Sequence, residues 1–335
     1  MIATNKKILV TGVAGFLGSN LLSKLLSEGH EVVGIDNLSM GRMENIHKFL
    51  THERFEFIEK DILDHSTLTG LATDFDVIVH LAAFKIPRYG NAVDTLKINT
   101  KGSENMLEFA RKLNCKFVLA STSDVYGMNP DLPFVEDGNC VIGDSKVPRW
   151  GYAVSKLYDE HLALAYMEDY GIPVVLLRFF GSYGPHQHLS WWGGPQSVFI
   201  DCLLNNKEIP IHGDGQQTRT FTFVEDTVAG IYAATMKPEA NGEIFNIGAN
   251  EEITILELAQ MLREIAGNPE DTDIKLIPYN EISAGRKYQD VMRRVPDTTK
   301  AERLLGVKAK VSMKEGLKRT FEWQKSVTSA KVEAS

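Results

Sequence analysis

Tyr152 and Lys156 stand four residues apart in the segment YAVSK. On a helix that spacing puts a phenol and an ammonium on one face. A nearby ammonium favours phenolate over phenol, which equips the tyrosine to act as a general base on a substrate hydroxyl. Thr122 closes a buried apolar run, Lys116–Thr122, and its hydroxyl is of the right type to bond the same substrate oxygen. Ser123 and Asp124 follow directly and complete the candidate catalytic set. Taking a proton from a hydroxyl becomes productive when hydride leaves the same carbon, so the chain should also carry a hydride acceptor.

A site for one is written at its start, in KILVTGVAGFLGSNLLSKLLSEGHEVVGID from Lys7 to Asp36. Ile8, Leu9 and Val10 predict a short strand. TGVAGFLG then supplies Gly12, Gly15 and Gly18. Phe16, Leu17, Leu21, Leu22, Leu25 and Leu26 follow at helical spacing, and Gly29 ends that helix. Val32–Ile35 predicts a second strand closing on Asp36. A dinucleotide pyrophosphate needs backbone N–H donors and the positive end of a helix dipole. Glycines at the approach let the backbone come close. Asp36 falls where a carboxylate accepts hydrogen bonds from ribose hydroxyls and repels a 2′-phosphate, which favours NAD over NADP. A nicotinamide cation beside Tyr152 would favour its phenolate further.

The elements that must position these groups alternate. Phe55–Ile58 predicts a strand leading to Asp61 and Ile62, a position near an adenine ring in a doubly wound sheet. Val77–Ala83 reads as an apolar strand ending in small residues, Leu81, Ala82 and Ala83, suited to run under a cofactor. Asp94–Lys112 and Tyr152–Tyr170 predict helices, and Lys116–Thr122 and Val174–Phe180 buried strands. Buried strands alternating with helices mean a parallel sheet covered on both faces. The expected fold is therefore α/β, a Rossmann-type doubly wound parallel sheet with a smaller C-terminal α/β substrate lobe. Residues 1–180 are assigned to the NAD-binding domain carrying the catalytic residues. Residues 181–326 are assigned mainly to the substrate lobe, with some segments returning to the main sheet, and 327–335 to a frayed tail. Thr254–Ile265 and Ser312–Gln324 each open on a capping box, Thr254 with Glu257 and Ser312 with Glu315.

The bulk numbers narrow the class. With 335 residues, the chain is long enough for one large or two smaller domains. A net charge of -8 disfavours nucleic acid as a partner. Cys115, Cys140 and Cys202 are scattered, which suggests a reducing compartment, and they show no metal-ligand spacing. No apolar stretch is long enough to span a membrane, and the N-terminus runs straight into a strand. The expected location is cytoplasmic.

TGVAGFLG, Asp36-Asn37, HLAA at His80–Ala83, NTKGS at Asn99–Ser103, STSDVYG at Ser121–Gly127 and YAVSK occur in the order seen in extended short-chain dehydrogenases. The chain resembles the nucleotide-sugar epimerases, decarboxylases and dehydratases of that family along nearly its whole length. The resemblance implies a tightly bound NAD held by Gly12, Gly15, Phe16, Leu17, Asp36, Asn37, Asp61, Ile62, Leu81, Ala82, Ala83, Lys85, Asn99, Tyr152 and Lys156. It implies a nucleoside-diphosphate sugar as substrate, UDP-linked, with Arg219 near its phosphates and Lys85 reaching the cofactor. It also implies a homodimer through the helices around Asp94–Lys112 and Tyr152–Tyr170.

Family members share oxidation of the sugar C4 hydroxyl to a ketone and differ in the fate of that ketone. YQDVMRRVP at Tyr288–Pro296 is similar to a segment of UDP-glucuronate decarboxylases and puts Arg294 where their catalytic arginine stands. With Ser123, Arg294 could bind a sugar carboxylate. Asp124 is one methylene shorter than the glutamate that decarboxylases and dehydratases carry. Gly181 and Ser182 are small where relatives are bulkier, which leaves room for a keto-sugar to turn over. The loop at Gly181–Pro195 holds His186, His188, Trp191 and Trp192; Trp191 is a candidate to stack on sugar or uracil. The expected reaction is 4-epimerisation of a UDP-sugar, a UDP-hexuronate among the candidates, with UDP-glucuronate decarboxylation second and 4,6-dehydration third. From a different class, a dinucleotide-binding sensor or scaffold is the alternative.

Overall fold

Ile8, Leu9 and Val10 are fully buried, as the apolar run at the chain's start predicts. They form the centre of a parallel sheet in the computed structural model, which describes residues 5–64, 70–85, 92–267, 272–283 and 285–333. Strand β1 (Lys7–Thr11) runs into helix α1 (Phe16–Ser27), then β2 (Glu31–Asp36), β3 (Phe55–Glu59) and β4 (Val77–His80). Helix α2 (Ala92–Leu113), β5 (Lys116–Thr122), α3 (Trp150–Tyr170) and β6 (Val174–Phe179) follow. The remainder contains β7 (Ser182–Tyr183), α4 (Pro195–Leu204), β8 (Ile209–His212), β9 (Thr218–Thr220), β10 (Thr222–Phe223) and α5 (Val224–Met236). Last come β11 (Ile244–Ile247), β12 (Glu252–Thr254), α6 (Ile255–Ala266), β13 (Ile274–Ile277), β14 (Arg293–Arg294) and α7 (Met313–Glu333).

Seven strands form the main sheet in the order β11-β6-β5-β4-β1-β2-β3. The order reverses between β1 and β4, and ligands of such sheets bind in the crevice at that point, beyond the strands' carboxyl ends. Leu21, Leu22, Leu25 and Leu26 seat α1 on one face of the sheet, and Met106, Leu107 and Phe109 seat α2 on the other. Truncating one of these leucines to alanine costs on the order of 2–5 kcal/mol.

The segment after β6 builds small sheets. β8 pairs with β13, and β9 lies between β12 and β14. β11 returns to the main sheet beside β6, with Ile244 opposite Leu176. Helix α6 starts on the predicted capping box, Thr254 with Glu257.

Several expected boundaries move. The strand predicted over Val77–Ala83 stops at His80. There the Leu81 N–H still bonds Thr11 O, but the Ala82 N–H turns to the Thr11 hydroxyl, so the chain leaves the ladder. The strand predicted to reach Phe180 ends at Phe179. The helix predicted to end at Gln324 continues to Glu333, so the expected frayed tail from Val327 is helical that far. No glycine or proline interrupts the segment, Gln324 is buried, and the Thr328 hydroxyl bonds Gln324 O at 2.9 Å. No helix among the described residues is long and apolar enough to cross a membrane.

Candidate active site

The turn after β1 is built by steric necessity. Gly12 has φ +72, and a Cβ there would lie 2.9 Å from Ala82 N. A Cβ on Gly18 would lie 2.1 Å from Gly12 O, so this glycine lets α1 pack onto the turn. Gly15 caps α1 with no side-chain bond, which leaves first-turn N–H groups for an anion. A cleft of about 300 Å³ opens there, lined by Gly15, Asp36, Arg42, Asp61, Ile62 and Ala83 among others. Asp36 is buried at the end of β2 and accepts from Ala14 N at 3.0 Å and Leu38 N at 2.9 Å. Burial pushes its carboxyl up, against those backbone donors. Asn37 Nδ2 donates to Asp61 Oδ2 at 2.9 Å, closing the far end. Asn99 clamps Phe84, accepting from its N–H at 2.7 Å, and donates to Ser155 Oγ at 2.9 Å. It thereby ties the segment before Lys85 to α3.

Tyr152 lies in the first turn of α3, and Lys156 follows on the same face. Thr122 ends β5, and its hydroxyl accepts from Asp124 N at 3.2 Å. Thr122, Tyr152, Ser123, Asp124, Lys85 and Arg294 all line a second cleft of about 410 Å³, so the predicted catalytic groups converge. Lys156 behaves otherwise than its spacing suggests. Its ammonium is 1% exposed and lies 3.2 Å from Asp159 Oδ2. Tyr152 is pushed up, first by burial and then by the Asp124 and Asp159 carboxylates. Beside the ammonium that the helical spacing supplies stands a charge that the spacing does not show, the Asp159 carboxylate three residues on. His80 is buried beneath, bonded to Thr11 Oγ1 at 2.8 Å, and burial with the nearby Lys156 charge pushes it down to about 3.

A buried pair fastens the catalytic elements together. Glu160 on α3 accepts from Arg178 on β6 at 2.7 Å and from Ser121 on β5 at 2.5 Å. Ser121 precedes Thr122, so one carboxylate ties the helix bearing the tyrosine to the strand bearing the threonine.

Two aspartates organise the arginines of the second cleft. Arg294 Nη2 lies 2.6 Å from Asp124 Oδ1, with Arg149 at 3.6 Å. Arg149 and Arg219 meet Asp290 Oδ1 at 2.5 and 3.1 Å. Arg294 Nη1 also reaches Ser123 Oγ at 3.5 Å. Sequence reasoning misses Arg149 and Asp290. A signal exists for both, since Arg149 immediately precedes the helix of Tyr152 and Asp290 lies in the segment carrying Arg294.

Gly181 lines the cleft, but it has φ +54 and a Cβ there would lie 2.2 Å from Thr220 O. Its smallness relieves a clash with the chain's own backbone. The Ser182 hydroxyl bonds Thr227 Oγ1 at 3.0 Å. In the following loop, Trp191 stacks on His212 with ring centroids 4.2 Å apart. His186 Nδ1 bonds Ser19 Oγ at 2.8 Å, and His188 Nε2 bonds Arg42 at 2.9 Å. Lys85 Nζ donates to Trp192 O at 3.2 Å, where the two clefts meet.

A glycine cradle at the switch point of a parallel sheet, with Thr122 and Tyr152 lining the adjoining cleft and Lys156 buried on the same helix face as the tyrosine, defines a short-chain dehydrogenase-type enzyme site. The sequence model of the GDP-mannose 4,6 dehydratase family matches residues 9–320. The chain belongs to that family, within the extended short-chain dehydrogenases. It is 34% identical over 324 residues to a UDP-N-acetyl-alpha-D-glucosaminuronate decarboxylase of Bacillus cytotoxicus, covering 96% of this chain and 98% of the relative. It is 35% identical to UDP-glucuronic acid decarboxylase 1 of Xenopus tropicalis, covering 95% and 72% respectively. The structure is similar to that of UDP-glucuronic acid 4-epimerase from Bacillus cereus in complex with UDP-glucuronic acid and NAD. The TM-score is 0.84 and the identity 33%, covering 96% and 99% of the two chains.

Proposed function

We propose that the chain is an NAD-dependent UDP-sugar 4-epimerase working through a 4-keto intermediate, with UDP-hexuronates among its candidate substrates. The glycine cradle fits a dinucleotide: Cβ atoms at Gly12 and Gly18 would strike the chain's own backbone, and α1 offers its first-turn N–H groups. Gly12, Gly15, Phe16 and Leu17 would hold the pyrophosphate, Asp36 the adenosine ribose, and Asp61 with Ile62 the adenine. When bound, NAD would supply the acceptor that takes the C4 hydride and returns it to the ketone. Thr122 and Tyr152 hold the C4 hydroxyl, and Tyr152 takes its proton. The ketone then turns over in the cleft, and Tyr152 returns the proton after reduction on the other face. Arg149 and Arg219 are placed to bind the diphosphate.

The observation that carries the choice among reactions is the 2.6 Å pair between Asp124 and Arg294. A dehydratase needs an additional base at C5, and a decarboxylase a cation at the C6 carboxylate. Either use would recruit a member of this pair into the chemistry, whereas epimerisation needs only Thr122 and Tyr152 at C4, with Arg294 left to bind. UDP-glucuronate decarboxylase is the second reading, favoured by the reach of Arg294 to Ser123 and by the named activities of the relatives. UDP-glucuronate incubated with purified protein, without added NAD, separates the two by NMR and mass spectrometry. An unchanged mass with an inverted C4 proton pattern supports the epimerase; loss of carbon dioxide overturns it. UDP-glucose and UDP-N-acetylglucosamine test the neutral sugars in the same way.

A homodimer through α2 and α3 belongs to the same reading. These helices pack side by side, and α3 exposes Val154 and Tyr158 at 43% and 48%. Tyr158→Glu is expected to convert a dimer to monomers in light scattering.

A further inference from the structure

Tyr152, Lys156 and Asp159 occupy positions i, i+4 and i+7 of α3 and so share one face. Lys156 and Asp159 are 1% and 0% exposed and 3.2 Å apart. An ion pair withdrawn this far from water is costly to form, and costly to break once formed. Among the described residues, the neighbours supply no other charge to Lys156. His80 on β4 is held neutral by burial and by Lys156 itself, Ser103 on α2 carries no charge, and Glu160 is occupied by Arg178 and Ser121. On the cleft side, Asp124 is held by Arg294.

We propose that Asp159 is the buried counter-ion that limits how much of the Lys156 charge reaches Tyr152, a positioning residue acting on the base through the lysine. Resting on the reading of Tyr152 as the base, this makes the tyrosine a weak base until positive charge arrives in the adjoining cleft. Proton removal is thereby coupled to an occupied, oxidised cofactor site. Burial and the Asp124 and Asp159 carboxylates hold the Tyr152 phenol up.

Near-ultraviolet tyrosinate absorbance tests it on the NAD-bound protein without turnover. Subtracting the titration of the matching Tyr152→Phe protein isolates this one phenol. In Asp159→Asn the midpoint is expected to fall by about one to two pH units. The acid limb of the kcat profile should follow it, with KM and bound NAD unchanged. An unmoved midpoint in folded, NAD-loaded Asp159→Asn overturns the proposal. If that variant does not fold, Asp159→Asn/Lys156→Met is compared with wild type, since it buries no unpaired charge. A midpoint within about half a unit of wild type supports a lysine charge already balanced by Asp159, and a shift of about a full unit in either direction overturns it. The spectroscopic midpoint is read without any sugar, so failure of the epimerase assignment and failure of this proposal are separate outcomes.

Discussion

Asp124, two residues beyond the threonine that ends β5, meets Arg294 at 2.6 Å in the second cleft. Neither is needed at the C4 hydroxyl if the reaction is epimerisation. Arg294→Ala is then expected to keep kcat within about tenfold, with the larger effect on KM for uronates. A loss of about a thousandfold, with carbon dioxide as the wild-type product, would move the pair into the chemistry. Product analysis of both proteins on UDP-glucuronate reads the difference.

Tyr152→Phe removes the proton acceptor and leaves the glycine cradle intact. Turnover should drop by about a hundred- to ten-thousandfold while bound NAD, measured after denaturation, is unchanged. Thr122→Val should cost less, because it removes one hydrogen bond to the substrate oxygen. A Tyr152→Phe protein with full rate would remove the shared mechanism altogether.

The fold should weaken on acidification. Burial and the Lys156 charge hold His80 down at about 3, and burial and Lys48 hold His186 down at about 4. Unfolded, each titrates near the ordinary histidine value of about 6.5. Between that value and about pH 4 the unfolded chain binds more protons, so stability rises with pH across the window and is lost as pH falls. Each histidine contributes a slope of about 1.4 kcal/mol per pH unit. His186 has φ +72, which asparagine tolerates. His186→Asn should therefore flatten the dependence by about one proton in urea unfolding followed at several pH values.

Glu160→Gln leaves the Arg178 guanidinium buried opposite a neutral partner. A loss of about 3–5 kcal/mol is expected in denaturant unfolding. Because Glu160 also accepts from Ser121, kcat should fall more than KM rises, as Thr122 and Tyr152 lose their common anchor.

Local chemistry made much of this legible in the sequence. The turn at Gly12–Gly18 is dictated by contacts within a few residues, and so are the Thr254–Glu257 box and the helical spacing of Tyr152 and Lys156. Contacts between residues remote in sequence were hidden. Asp159 lies within α3, but its burial against Lys156 depends on α2 and β4 packing over it. The partnership of Arg149 and Arg219 on Asp290 joins three segments separated by up to 141 residues. Gly181 carries a second constraint of the same kind: besides lining the cleft, its size answers to Thr220 O, which no pattern around residue 181 reveals.

The loop between Gly184 and Gly194 is fastened by residues far from it on both sides in sequence. His186 bonds Ser19 at the start of α1, while Gln324 Nε2 donates to Gln187 O and Trp323 packs on the His186 ring. Order of synthesis then matters. The nucleotide-binding sheet can form while the chain is still emerging from the ribosome, but the wall shared by the two clefts waits for α7. A chain halted before Met313 would carry every candidate catalytic residue yet lack the Gln324 and Trp323 contacts that hold this wall, and is expected to bind and turn over substrate poorly.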